Sequence, residues 1–250
     1  MIDSSLAGGE TPVLLSQTGT RCRALLSHLQ AGGGGLDHRA LAAHSLRMTE
    51  VKICGVTTVD DALRCVEMGV DAIGLNFWPQ SPRSTDLANA RRIVDALGDR
   101  VETVGVFVDF DLAQIGAILQ ATEISWAQLH GDESPELVGA LLPRAYKAIG
   151  VKDGSVVELA RSYPGEHLLL DASVPGMPGG TGRTFDWSIA AEVAKERKLT
   201  LAGGLTAENV AEAVRTVRPF RVDVASGVES TPGRKDPAKV AAFVEAAKGA

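Results

Sequence analysis

From Val51 onward, short runs of Val, Ile and Leu alternate with stretches in which apolar residues recur every three or four positions. The short runs have the length and composition of buried strands, and the longer stretches have the period of amphipathic helices. Strands are predicted at VKICG from Val51, AIGLNF from Ala72, TVGVFVD from Thr103 and SWAQLH from Ser125. Four more follow at AYKAIG from Ala145, HLLLD from His167, LTLAGG from Leu199 and RVDVAS from Arg221. Helical patterns such as LANARRIVDAL and AENVAEAVRTV separate them, and PAKVAAFVEAAK closes the chain. Eight alternating units in about two hundred residues predict a single-domain (β/α)8 TIM barrel over residues 48–250. An open doubly wound sheet is the competing architecture, but its phosphate loop usually follows the first strand, whereas the glycine-rich loops here follow late ones.

Residues 1–47 break this pattern. They contain Gly8-Gly9, a run from Gly32 to Gly35 and no lysine, with one short helical pattern between Arg21 and Gln30. This reads as a disordered, flexible N-terminal leader. Met48 stands directly before the first strand, so it is expected to be a physiological start, or the leader to be dispensable.

Successive strand residues point to opposite faces, so polar residues within apolar runs mark the side that looks into the barrel. Lys52 and Cys54 in the first strand, Gln128 and His130 in the fourth, Asp171 in the sixth, and Arg221 and Asp223 in the eighth form that set. Most of them are expected to converge at the carboxyl ends of the strands, where barrel active sites sit.

A net charge of −6 argues against a nucleic-acid partner or an anionic membrane, both of which need positive fields. Any anionic substrate must then be held by local donors. The three cysteines have no CxxC spacing and the five histidines no ligand spacing, which predicts a reducing compartment and no metal. With no membrane span and no secretory signal in the sequence, a cytoplasmic enzyme is expected.

Cys54 is either a small buried hydrophobe or a reactive thiol. Most free cysteines are the former, but its place at a strand end before Gly55, two residues after Lys52, speaks equally for the thiol, because a neighbouring ammonium promotes the thiolate. Asp171 either caps the following turn or, desolvated at the end of an apolar strand, serves as a general acid. His130 is equally a structural hydrogen-bonder or a ligand contact. Arg83, in the loop after the second strand, carries a planar fork suited to a carboxylate. Three glycine-containing loops suggest an anion nest: Gly179-Gly180-Thr181-Gly182 after the sixth strand, Gly203-Gly204 after the seventh, and Ser226-Gly227 after the eighth.

The fragments KICG at Lys52, SPR at Ser81, QLHG at Gln128, LLLDA with GGTGRTFDW, AGGL at Ala202 and DVASGVES at Asp223, in this order and spacing, closely resemble the phosphoribosylanthranilate isomerases of tryptophan biosynthesis. The resemblance runs from Val51 to about Lys248 and leaves the leader without a counterpart. It implies an Amadori rearrangement of a phosphosugar–anthranilate substrate, without a cofactor or metal, by a monomer or homodimer. Asp171 would be the general acid that opens the furanose ring, and Cys54 the general base at the sugar C2. Arg83 would bind the anthranilate carboxylate, His130 would contact substrate, and Gly180, Gly182, Gly203, Gly204, Ser226 and Gly227 would hold the phosphate. The chain departs from the family pattern at Asn76, where an apolar residue is expected, at Ser84 in place of an aromatic, and at Ala225 where serine is common. Other phosphosugar barrels fit less well: metal-dependent epimerases need more strand-end histidines than His130, and indole-glycerol-phosphate synthases need a lysine acid where only Lys52 and Lys147 lie within strands. A non-catalytic phosphosugar sensor is the alternative from a different class.

Overall fold

Eight parallel strands close into a barrel in the computed structural model, which describes residues 48–151, 154–171 and 187–250. The leader and the glycines Gly180 and Gly182 lie outside the described residues. The strands are β1 (Glu50–Cys54), β2 (Ala72–Asn76), β3 (Glu102–Phe107), β4 (Trp126–Leu129), β5 (Ala145–Gly150), β6 (His167–Asp171), β7 (Lys198–Ala202) and β8 (Arg221–Val224). They pair in chain order, and β1 closes the barrel against β8 with Lys52 opposite Asp223. The eight predicted strands and their (β/α)8 arrangement are thus present, with ends shifted by a residue or two.

Helices α1 (Val59–Glu67), α2 (Leu87–Leu97), α3 (Leu112–Thr122), α4 (Pro135–Leu141), α5 (Val156–Ser162), α6 (Trp187–Glu196), α7 (Val210–Val217) and α8 (Pro237–Lys248) lie between and after the strands. Local sequence dictates where several begin. Thr58, Asp86, Asp111, Ser134 and Asp236 each accept hydrogen bonds from backbone N–H groups of the following first turn, which water would otherwise have to satisfy. Each cap starts its helix after the loop that leaves a strand's carboxyl end, and those loops remain free to build a site.

Alternation sorts the core. Val51, Ile53, Ile73, Leu75, Leu168, Leu170, Leu199 and Leu201 are buried in the layer shared by sheet and helices. A smaller apolar cluster of Ala72, Val104, Tyr146, Ala148, Leu169 and Ala202 is separate from it. Its members alternate along the strands with those of the larger cluster, and therefore fill the barrel interior.

Arg221 is the inward polar residue that stands apart from the convergence at the carboxyl ends. It begins β8 and so lies at the amino end of the barrel, where its guanidinium donates to Glu102 Oε1 at 2.7 Å and, through Nε, to Glu50 Oε2 at 3.0 Å. It is buried with both partners close, a plug on the face that barrels reserve for stability. An antiparallel hairpin, β9 (Glu229–Thr231) and β10 (Arg234–Lys235), follows β8 and was not among the predicted elements. Its turn is signalled by Pro232-Gly233, and Gly233 adopts φ 82°, a conformation that favours glycine. Among the described residues, no helix is long and apolar enough to cross a membrane.

Candidate active site

The first strand delivers Cys54 to the rim of the barrel because the chain turns sharply just after it. Gly55 has φ 70°, and the amides of Gly55 and Val56 both donate to the carbonyl of Gly74 on β2. Gly74 also makes room beneath the site: a Cβ there would lie 2.9 Å from Cys54 Sγ and 3.1 Å from Lys52 Nζ. Gly55 has no side chain to obstruct the Arg83 stem, whose Cδ would come within 2.5 Å of an added Cβ. These two glycines therefore place thiol, ammonium and guanidinium together.

Lys52 is wholly buried inside the barrel. Its Nζ donates to Asp223 Oδ2 at 2.8 Å and to Gln128 Oε1 at 3.0 Å. Burial opposes its charge, yet Asp223, with Cys54 and Tyr146 adding to the effect, carries its pKa above the ordinary lysine value. Burial likewise pushes the Cys54 thiol up; Lys52 and Lys235 pull it back, and Asp223 pushes it further up. Lys52 thus favours the thiolate, as the sequence suggests, but the net direction is upward. The ammonium is already committed to Asp223, and desolvation of the sulfur is the larger effect.

A chain of hydrogen bonds runs across the interior toward Asp171. Gln128 Oε1 accepts from both Lys52 Nζ and Tyr146 Oη (3.1 Å), so its Nε2 is the donor to His130 Nδ1 at 3.1 Å. That leaves the ring proton of His130 on Nε2, which lies 3.5 Å from Asp171 Oδ2. His130 is thus an inward residue, as alternation predicted, and a structural hydrogen-bonder that also reaches the cleft.

In the loop after β2, Asn76 Oδ1 accepts from Trp78 N at 2.8 Å, its Nδ2 donates to Ser81 Oγ at 3.4 Å, and Ser81 Oγ accepts from Arg83 N at 3.1 Å. Asn76 thus shapes the turn that carries Arg83. The Arg83 fork is not open: Nε and Nη2 donate to Glu229 Oε1 and Oε2 at 2.8 and 2.7 Å. Burial opposes ionisation of Glu229, but Arg83 and Lys235 together hold its carboxyl below the usual range.

On the opposite arc of the rim, Gly203 and Gly204 have φ 93° and 65°, consecutive left-handed residues that turn their backbone inward. Gly227, in the loop after β8, packs so closely on the loop after β7 that a Cβ would lie 2.1 Å from Leu205 O. Gly227→Ala must push these loops apart, at an expected cost of about 1–3 kcal/mol. Urea denaturation should show a lower midpoint, and an unchanged midpoint would contradict the tight contact.

Cys54, Arg83, His130 and Asp171 line one cleft of about 210 Å³, together with Gly203, Gly204, Ser226 and Gly227. Every described member of the predicted site is therefore brought together. Asp223 also lines the cleft, and its buried Oδ1 has no hydrogen-bond partner. Glu229 and Lys235 escaped sequence reasoning, although Glu229 lies within the DVASGVES fragment. Among the described residues, no three His, Cys, Asp or Glu side chains are grouped to hold a metal ion.

The family of N-(5'-phosphoribosyl)anthranilate isomerases matches residues 51–246, which span the whole barrel. The chain belongs to this family. The N-(5'-phosphoribosyl)anthranilate isomerase of Pelobacter propionicus is 45% identical over 201 residues, covering 80% of this chain and 96% of the relative. The crystal structure of phosphoribosyl anthranilate isomerase from Thermotoga maritima superposes with a TM-score of 0.75 at 42% identity, covering 81% of this chain and all of the other. A crystal structure of a phosphoribosyl anthranilate isomerase in complex with reduced 1-(o-carboxyphenylamino)-1-deoxyribulose 5-phosphate gives a TM-score of 0.72 at 40% identity, covering 81% of this chain and 100% of that one.

Proposed function

We propose that this barrel converts N-(5-phosphoribosyl)anthranilate to 1-(2-carboxyphenylamino)-1-deoxyribulose 5-phosphate in tryptophan biosynthesis, with Asp171 as general acid and Cys54 as general base. The observation that carries the reading is the order of groups around a single cleft. Following the rim, the Arg83 loop comes after β2, Cys54 ends β1, Ser226 and Gly227 follow β8, Gly203 and Gly204 follow β7, and Asp171 ends β6. Donors for two separate anions are thus set along the same rim as a thiol and a carboxyl group. The substrate has that form: a carboxylate on the anthranilate ring, a phosphate on C5 of the sugar, and the reacting carbons between them.

Protonation of the furanose oxygen by Asp171 breaks the C1–O bond and leaves an iminium between C1 and the anthranilate nitrogen. Cys54, as thiolate, takes the proton from C2, and the C–H electron pair moves into the iminium to give an enolamine. Tautomerisation of the enolamine yields the ketone. The iminium is the electron sink. The glycine loops contribute backbone N–H groups to the phosphate, and the family's co-crystallised ligand described above carries the same carboxyphenylamino and phosphate groups. All of these contributions come from one barrel, so the chemistry needs no second chain.

The test is a coupled assay that generates phosphoribosylanthranilate in situ and follows the loss of its fluorescence. Acceleration by purified protein is expected; ligand retention without conversion would point instead to a sensor. In the same assay, Arg83→Ala is expected to raise KM by about tenfold or more with kcat changed far less, because a charge-assisted contact to the substrate carboxylate is lost. An unchanged KM would remove Arg83 from the carboxylate site.

A further inference from the structure

Glu229 and Lys235, one on each strand of the hairpin after β8, form a buried charge cluster with Arg83 that the chemistry above leaves unused. Glu229 Oε1 accepts from Arg83 Nε at 2.8 Å, Lys235 Nζ at 2.8 Å and Gly233 N at 3.2 Å, while Oε2 accepts from Arg83 Nη2 at 2.7 Å. Lys235 Nζ donates further to Cys54 O at 2.7 Å and Ala225 O at 3.2 Å. Thr57 Oγ1 donates to Gly233 O at 2.7 Å, so the hairpin also binds the loop after β1.

A guanidinium has five N–H donors on two usable edges. Glu229 takes the side edge made by Nε and Nη2, which leaves the end edge, with one hydrogen from Nη1 and one from Nη2, without a partner among the described residues. Arginine is otherwise a long, flexible side chain. Here its stem lies over Gly55 and its head is clamped, so the free edge has one direction. Glu229 is not free to swing out in exchange for another carboxylate, because leaving would strand Lys235, itself buried, without its counter-charge.

We infer that Glu229 is a positioning residue for substrate recognition: it holds Arg83 by one edge so that the other edge meets the anthranilate carboxylate. This rests on the reading of Arg83 as the carboxylate site. The hairpin then works as a brace, linking the carboxylate donor to the backbone of Cys54 and to the loop after β8.

The experiment is a double-mutant cycle on the full chain, reading KM and kcat separately for the wild type, Glu229→Gln, Arg83→Ala and the double variant. Glu229→Gln is expected to raise KM by about tenfold while kcat changes by less than about threefold. In the Arg83→Ala background the same change is expected to add less than about twofold, since there is no fork left to orient. An equal KM penalty in both backgrounds, or none in either, overturns the inference. If Arg83→Ala itself leaves KM unchanged, the carboxylate reading fails first, and wild-type turnover shows separately whether the isomerase reading stands. Should Glu229→Gln fail to fold, Arg83→Lys decides the matter. It keeps the charge but cannot serve two edges, so its KM is expected to match that of Arg83→Ala, and a wild-type KM overturns the inference.

Discussion

Cys54→Ala is expected to lower kcat by about 10²–10⁴-fold with little change in substrate binding, the usual scale for losing a positioned general base. The side chain is small, sits over Gly74 and touches the cleft, so alanine leaves the bonds of Lys52 to Asp223 and Gln128 intact. The pH dependence adds a second readout. In the proposed reaction the working state would hold one proton across the acid–base pair, on Asp171 with Cys54 ionised, and the alkaline limb of kcat/KM would mark loss of the last proton from the pair. Burial raises the Cys54 pKa, so that limb is expected above the ordinary thiol range. A limb near neutrality would show that Lys52 dominates the sulfur after all, and wild-type turnover by the alanine variant would remove Cys54 from the chemistry.

Asp171→Asn tests the other half of the reaction. Asparagine preserves size and retains an oxygen for the His130 Nε2 proton, 3.5 Å from Asp171 Oδ2, but it has no acidic proton for the ring oxygen. The expected result is a kcat loss of about 10²–10⁴-fold with KM changed little. Thermal unfolding should stay near the wild-type midpoint, because the carboxyl group is partly exposed at the end of β6. A large fall in stability with proportionate loss of activity would indicate a structural carboxylate and sink the assignment as acid.

The barrel was legible because strand alternation and helix periodicity repeat eight times, and repetition makes small errors at each end harmless. The polar residues of β1, β4, β6 and β8 were assigned to the interior by the same alternation. Parity assigns a side but says little about the partners met there, and the Glu50 and Glu102 contacts of Arg221 at the amino end were not legible. The direction of the Cys54 shift was illegible for a different reason. Sequence proximity shows Lys52 two residues away, but the burial of the sulfur, which outweighs that charge, follows from barrel closure, as does the position of Asp223 across the seam. Glu229 stayed hidden because its significance depends on a loop 146 positions earlier, which no local pattern connects to it.

The seam between β1 and β8 also bears on how the protein is made. Lys52 is wholly buried, yet the carboxylate that offsets its charge stands 171 positions later. A nascent chain that has emerged only as far as β7 can hide its Val, Ile and Leu faces, but closing over Lys52 would enclose an ammonium without its counter-charge, a severe penalty. Burial of the Lys52 ammonium and docking of β8 are thus expected to occur together, so that the seam closes only when its counter-charge is in place.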